Sequence, residues 1–278
     1  MPLSQAGCGL TLHDSSRFHT HESGLGWFGF ARVCSASFPR TTTVILRTRP
    51  FLILGLLCAS VSAAFAVTEF KDNFTSKLNS KWKHVAENKD KKGNLVVKNK
   101  KLTLVTTTTR ERSAHLILNK PLPKVTESWE TQIVLQNKAK RGETWIGVAI
   151  ANADDPYRNM CGVEFYYDDG ERGFETFHYH RGEDDDGPEK RISGTKLYVR
   201  MVYRKSTKLI TLYQRTSTSK SWKKVLSYSP FNDRKQRYRG NWDLDPKTGK
   251  FSIVIFAGAE DVKLAAGTVT ADSFVLKN

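Results

Sequence analysis

The run Leu197-Tyr-Val-Arg-Met-Val-Tyr203 decides the fold. Leu197, Val199, Met201 and Tyr203 point one way, and Tyr198, Arg200 and Val202 the other. This alternation marks a half-buried strand. The first row belongs in a core, and the mixed second row has the character of an outward face open to a ligand. The pattern spreads in both directions. Upstream lie Leu95-Val-Val97, Leu102-Thr-Leu-Val105, Ala114-His-Leu-Ile-Leu118, Trp129-Glu-Thr-Gln-Ile-Val-Leu135, Trp145-Ile-Gly-Val-Ala-Ile150, Val163-Glu-Phe-Tyr-Tyr167 and Phe174-Glu-Thr-Phe-His-Tyr179. Downstream lie Leu209-Ile-Thr-Leu-Tyr213, Trp222-Lys-Lys-Val-Leu226, Phe251-Ser-Ile-Val-Ile-Phe256 and Val269-Thr-Ala-Asp-Ser-Phe-Val-Leu276. Turn signals separate them at Lys92-Gly-Asn94, Asp168-Asp-Gly170, Glu183-Asp-Asp-Asp-Gly-Pro188 and Lys247-Thr-Gly249. No long segment carries a helical period. The reading is one all-β antiparallel sandwich or barrel without an internal linker.

Composition bounds the partners. The 278 residues hold 44 Lys+Arg against 28 Asp+Glu, a net charge of +16, with 39% hydrophobic and 11% aromatic residues. Such a chain is neither collagen-like, coiled-coil nor wholly disordered. Residues 1–50 show no periodicity and read as a low-structure N-terminal extension. Arg47 and Arg49 then precede an apolar run, Phe51 to Ala66, that ends in Ala64-Phe-Ala66. A basic flank, a short apolar run and small residues form a secretory signal peptide. The run falls short of the roughly 20 residues that span a bilayer. Cleavage after Ala66 would leave residues 67–278 as the mature domain, with 39 basic and 26 acidic residues and Cys161 as its sole cysteine. The expectation is a secreted monomer with no membrane span in the mature chain; a signal-anchored type II membrane protein is the alternative. Asn73-Phe-Thr75 is an N-glycosylation sequon.

Three stretches carry a family resemblance. Phe70-Lys-Asp-Asn-Phe74 with Leu78-Asn-Ser-Lys-Trp82 resembles the opening of concanavalin A-like domains. The pair Lys196–Arg204 and Leu209–Tyr213, followed by Ser221-Trp-Lys-Lys-Val225, is similar to their central strands. Phe251–Gly258 with Val269–Leu276 is similar to their closing strands. The resemblance covers about residues 68–278 and implies an antiparallel jelly-roll β-sandwich. It also implies a glycan partner on a concave sheet, because the superfamily holds lectins, carbohydrate-binding modules, laminarinase-type glycosidases and polysaccharide lyases. In laminarinase-like relatives a structural Ca²⁺ ties the first and last strands, so the resemblance places a metal at Asp72 and Asp272.

A retaining glycosidase needs two carboxyl groups ~5 Å apart. The E-x-D-x-x-E pattern of the laminarinase type is not reproduced by Glu164-Phe-Tyr-Tyr-Asp-Asp169, and Glu130 has no second acid nearby. Glu164 and Glu175 flank a tight hairpin, which makes them the candidate catalytic pair. Aromatic faces stack on sugars, and Trp145, Tyr157, Tyr166, Tyr179, Tyr198 and Trp242 are the candidate ligand-binding residues. Of these, Trp242, beside the basic run Arg234–Arg239, reads as the most exposed. His178 and His180 read as sheet-face histidines, Cys161 as a small buried hydrophobe, and the acidic run 183–186 as a solvated turn. Ten lysines crowd residues 71–101 with no nucleic-acid-binding motif. They form a solvated coat, or alternatively a seat for acidic glycans and other polyanions. The sequence thus predicts a lectin-like protein that binds a polysaccharide or glycan. A glycoside hydrolase or lyase of the same fold, and a polyanion-adhesion protein, are the alternatives.

Overall fold

The computed structural model describes residues 69–85 and 94–278. Residues 1–50, expected to be an extension, and 51–66, expected to be a signal segment, lie outside the described residues. The described chain is all β. Its strands are β1 (Glu69–Asp72), β2 (Trp82–Val85), β3 (Asn94–Lys98), β4 (Lys101–Val105), β5 (Arg112–Leu118), β6 (Trp129–Asn137), β7 (Glu143–Asn152) and β8 (Met160–Asp168). They continue as β9 (Glu171–His180), β10 (Glu183–Arg191), β11 (Lys196–Arg204), β12 (Leu209–Arg215), β13 (Lys223–Ser229), β14 (Tyr238–Arg239), β15 (Phe251–Glu260) and β16 (Val269–Lys277). Among the described residues no helix is long and apolar enough to cross a membrane.

Two sheets form the sandwich. The nine-stranded sheet runs β14-β13-β12-β11-β6-β16-β4-β3, with β1 also paired to β16. The seven-stranded sheet runs β10-β9-β8-β7-β15-β5-β2. Strand β11 sits inside the larger sheet, and Leu197, Val199, Met201 and Tyr203 are buried as their alternation requires. They join one core with Ile146, Val148 and Ile150 of β7, Val163 and Phe165 of β8, and Ile253 and Ile255 of β15. Each such side chain contributes roughly 1.5–3 kcal/mol by leaving water. Cys161 lies in the same core, where burial pushes its thiol pKa up, so it is inert packing.

The first and last strands meet at an aromatic corner. Phe70, Trp82 and Phe274 pack together, with Trp82 edge-on to Phe274 at 5.0 Å. Asp72 locks this corner: its carboxylate accepts the Phe74 amide at 2.8 Å and the Trp82 indole N–H at 3.0 Å. The spacing from Asp72 to Trp82 therefore marks where the chain leaves β1, in one sheet, for β2, in the other.

One turn reading is corrected. Glu183–Asp186 is not a solvated turn but the start of β10, the edge of the seven-stranded sheet. The turn is Arg181-Gly182, whose φ values of 56° and 88° suit a two-residue hairpin connection. An edge strand has little to bury, so nothing forces apolar alternation on it, and its charges discourage pairing with another chain.

Candidate functional site

The site is built by register. At the β8–β9 hairpin, Asp169 (φ 44°) and Gly170 (φ 88°) make a second tight turn. This sets Asp168 opposite Glu171 and, further along, Glu164 opposite Glu175. Directly paired residues share a face, so the row can be followed across the seven-stranded sheet. From β10 it reads Glu189, Glu175, Glu164, Gly147, Phe256 and His115. The neighbouring row reads Arg191, Gly173, Tyr166, Trp145 and Gly258. On the other side runs Asp186, Phe177, Gly162, Ala149, Val254, Ile117 and Lys83, and beyond it Asp184, Tyr179, Met160 and Ala151. All of these belong to the outward face. An apolar cluster of Ala149, Ala151, Met160, Val254 and Phe256 lies there, separate from the core between the sheets.

Glycines make this face. A Cβ on Gly258 would stand 2.0 Å from the Trp145 indole, and one on Gly147 2.1 Å from the Phe256 ring. One on Gly173 would meet the Tyr166 hydroxyl at 2.4 Å, and one on Gly162 the Phe177 ring at 2.8 Å. Each ring occupies the space that a neighbouring side chain would fill, so the aromatics lie over the backbone instead of standing off it. Phe256 contacts Phe177 edge-on at 5.5 Å, and Phe177 does the same with Tyr179 at 5.6 Å. His115 stacks on Phe256, and Tyr157, from the loop after β7, packs edge-on to His115 at 5.9 Å.

Electrostatics sharpen the picture. Burial, then the charges of Glu175 and Glu143, raise the Glu164 pKa from 4.5 to about 8. The Tyr166 hydroxyl crosses above Gly173 and donates to Glu189; burial and that carboxylate raise its pKa. Beyond the Trp145 row lie Asp168, Glu143 and Glu260, with Glu143 opposite Glu260. Burial and the surrounding charges of Asp168, Glu260 and Glu111 raise the Glu143 pKa as well. At neutral pH Glu164 is therefore largely protonated.

The structure gathers Glu164, Glu175, Trp145, Tyr157, Tyr166 and Tyr179 on one face. It separates two other candidates from them. Trp242 is not exposed: it is fully buried, and its indole N–H donates to the Tyr228 hydroxyl at 2.8 Å. Asn152 holds the Trp242 carbonyl at 2.7 Å, tucking the loop into the core despite its polar neighbours. Tyr198 lies on the outward face of the other sheet, under the Arg215 guanidinium. The alternation of β11 is right, but the row it exposes is on the opposite side of the sandwich.

That opposite face is cationic, with Lys98, Lys101, Lys196, Arg200, Arg215 and Lys277 on its outward rows. Glu130 sits among them, bonded by Arg200 Nε and by Lys277, each at 2.9 Å. Asp72 is buried at the aromatic corner, where its two oxygens accept the Phe74 amide and the Trp82 indole N–H. Asp272 caps the Ser273 amide at a bulge in β16. No group of three His, Cys, Asp or Glu that would hold a metal occurs among the described residues. His178 packs against Tyr228 and pairs with Asp185 at 3.3 Å, while His180 Nδ1 accepts the Asn241 amide. Asn73 is exposed beside the aromatic corner.

Sequence reading missed Glu189, His115, Phe177, Phe256 and the four glycines. The glycines were legible in principle, as gaps at alternate positions of aromatic-rich strands.

No protein-family model matches the chain, and no curated protein matches it in sequence. Solved structures similar to it include lectin II from Ulex europaeus (TM-score 0.47, 11% identity, covering 76% of this chain and 98% of that one). A peanut lectin bound to a nine-residue peptide is similar with TM-score 0.49 and 12% identity, covering 76% of this chain and 97% of that one. A Bacteroides ovatus xyloglucan-locus GH43B protein is similar with TM-score 0.48 and 15% identity, covering 75% of this chain and 38% of that one.

Proposed function

We propose that the outward face of the seven-stranded sheet binds a glycan and that the protein acts as a secreted lectin. The observation that carries this reading is the set of rings seated on glycines beside a carboxyl row. A pyranose presents C–H faces that stack on aromatic rings and hydroxyls that carboxylates accept. Trp145, Tyr166 and Phe177 supply the first, and Glu164 and Glu175 the second. Trp145→Ala should weaken binding to whichever polysaccharide the wild type retains by about tenfold or more, on the order of 1–3 kcal/mol as for stacking aromatics elsewhere. Tyr198→Ala, on the other face, should leave it unchanged. Equal loss in both variants, or in neither, would remove the glycan platform from this face. N-terminal sequencing of material from the medium should begin near Val67, and endoglycosidase treatment should shift its mass if Asn73 is glycosylated.

The paired acids favour a second reading, a glycoside hydrolase. Facing residues on antiparallel strands lie ~4.5–5.5 Å apart at Cα, which suits the ~5 Å carboxyl separation of a retaining glycosidase. Glu164, protonated to about 8, would be the acid and Glu175 the nucleophile. Release of reducing ends that disappears in Glu164→Gln, with binding kept, supports it; no release from any polysaccharide the protein binds rejects it.

A further inference from the structure

We infer that the outward face of the nine-stranded sheet carries a second binding track, and that its ligand is an acidic polysaccharide, a chain bearing sulfate esters or uronate carboxylates. The inference stands apart from the glycan reading of the seven-stranded sheet and uses none of its residues.

The track begins at the β3–β4 hairpin. Its turn is Asn99-Lys100, with φ values of 54° and 56°, a conformation that glycine or asparagine adopts far more readily than lysine. Lys98 and Lys101 flank the turn as register partners on the outward face, and like charges set directly opposite repel. Lys98-Asn-Lys-Lys101 thus holds three ammonium groups together at a cost to the fold. Among the described residues no carboxylate pairs with any of them. An anion lying there would relieve the repulsion.

From the turn the positive charge runs inward over the sheet. Lys101 Nζ donates to Gln136 Oε1 at 3.3 Å, and Gln136 is the register partner of Lys196 on β11. Two residues along β11, on the same face, Tyr198 lies opposite Arg215. The Arg215 guanidinium stands 5.5 Å from the Tyr198 ring and 4.3 Å from that of Trp222. Lys98, Lys101, Lys196 and Arg215 therefore mark a line across β3, β4, β16, β6, β11 and β12, a span of roughly 24 Å at the usual strand spacing. The acids of this face are already engaged: Glu69 by Lys71 at 2.8 Å, Glu130 by Arg200 and Lys277, and Asp272 by the Ser273 amide.

The layout selects the occupant. A line of that length outreaches one small anion and matches a chain with charges at intervals. The rings nearest to it, Tyr198 and Trp222, already carry the Arg215 guanidinium, so the bases of a nucleic-acid strand would find no bare stacking platform. Val96, 38% exposed, is the one well-exposed large apolar side chain among the described residues, so the face offers no wedge to a bilayer. An acidic polysaccharide needs neither ring nor wedge. Ammonium and guanidinium groups hold its sulfates or carboxylates through charge-assisted hydrogen bonds.

The test titrates the protein over sensor surfaces carrying dextran sulfate, polygalacturonate, uncharged dextran, a thymine oligonucleotide or phosphatidylserine vesicles. At least one of the two acidic polysaccharides should bind more tightly than the other probes, with an affinity that falls steeply as salt rises past about 0.1 M. Which of the two binds assigns sulfate or carboxylate as the recognised group. The double variant Lys98→Gln/Lys101→Gln should weaken that binding by at least about fivefold, and Lys196→Gln by about twofold or more. Lys83→Gln/Arg191→Gln, which removes the same charge from the other sheet, should leave it within about twofold. Thermal melting close to wild type shows that the variants are folded. Equal weakening by the two double variants would reduce the effect to net charge and overturn the track. Tighter binding to the oligonucleotide or the vesicles, or none to either acidic polysaccharide at low salt, would overturn the occupant.

Discussion

Glu164 shows how a single residue carries opposing demands. In the folded chain its pKa stands near 8 against 4.5 for the ordinary side chain, so the native state prefers the protonated form. Nothing is lost below about pH 4.5, where the group is neutral whether folded or not. As pH rises toward 8 the unfolded chain ionises freely while the folded one resists, and stability falls. Glu164→Gln removes that penalty. Thermal denaturation should show the variant matching wild type near pH 4.5 and exceeding it near pH 8 by about 1–3 kcal/mol. This is less than the roughly 5 kcal/mol of the full displacement, because solvent still reaches part of the carboxyl. No advantage at pH 8 would mean that Glu164 ionises normally. Its pairing with Glu175 was readable from sequence, since Asp169-Gly170 announces a two-residue turn and counting outward from it fixes the register. The proton it holds was not, because burial in the folded sheet is its main cause and Glu143 adds to it from a different strand.

At the scale of elements, the turns and one loop decide what faces where. Gly170 has open space where a Cβ would stand, so its φ of 88° is the sole obstacle to a side chain there. Gly170→Ala should therefore destabilise by about 1–2 kcal/mol through backbone strain alone, measured by urea denaturation with an unchanged slope. A neutral effect would show that the hairpin has another turn available. Strands β11 and β15 were plain from alternation because each has a face in the core. Strand β10 was hidden because an edge made of Glu, Asp, Lys and Arg looks like a loop until its hairpin partner is known. The loop around Trp242 misled for the opposite reason: the basic run before it signals solvent, yet Tyr228 and Asn152, far apart in sequence, draw the ring inside. Trp242→Ala should cost about 3–5 kcal/mol as a core truncation, and any effect on ligand binding should disappear at temperatures where the variant stays folded.

For the whole molecule, the +16 total conceals a division. Among the described residues, lysines and arginines predominate on the outward rows of the nine-stranded sheet and carboxylates on those of the seven-stranded one, with the apolar core between them. Over those residues the sandwich therefore has one cationic and one anionic broad face. A body so divided does not land at random next to a charged wall. On an anionic surface, whether a resin bead or a cell coat, the lysine-bearing side should lie down and the Trp145 side should look away from it. Protein loaded on a sulfonated matrix at low salt should then keep its full ligand capacity, whereas protein coupled at random should lose part of it. A charge count that suggested a partner would in that case describe an orientation: which way up the molecule rests.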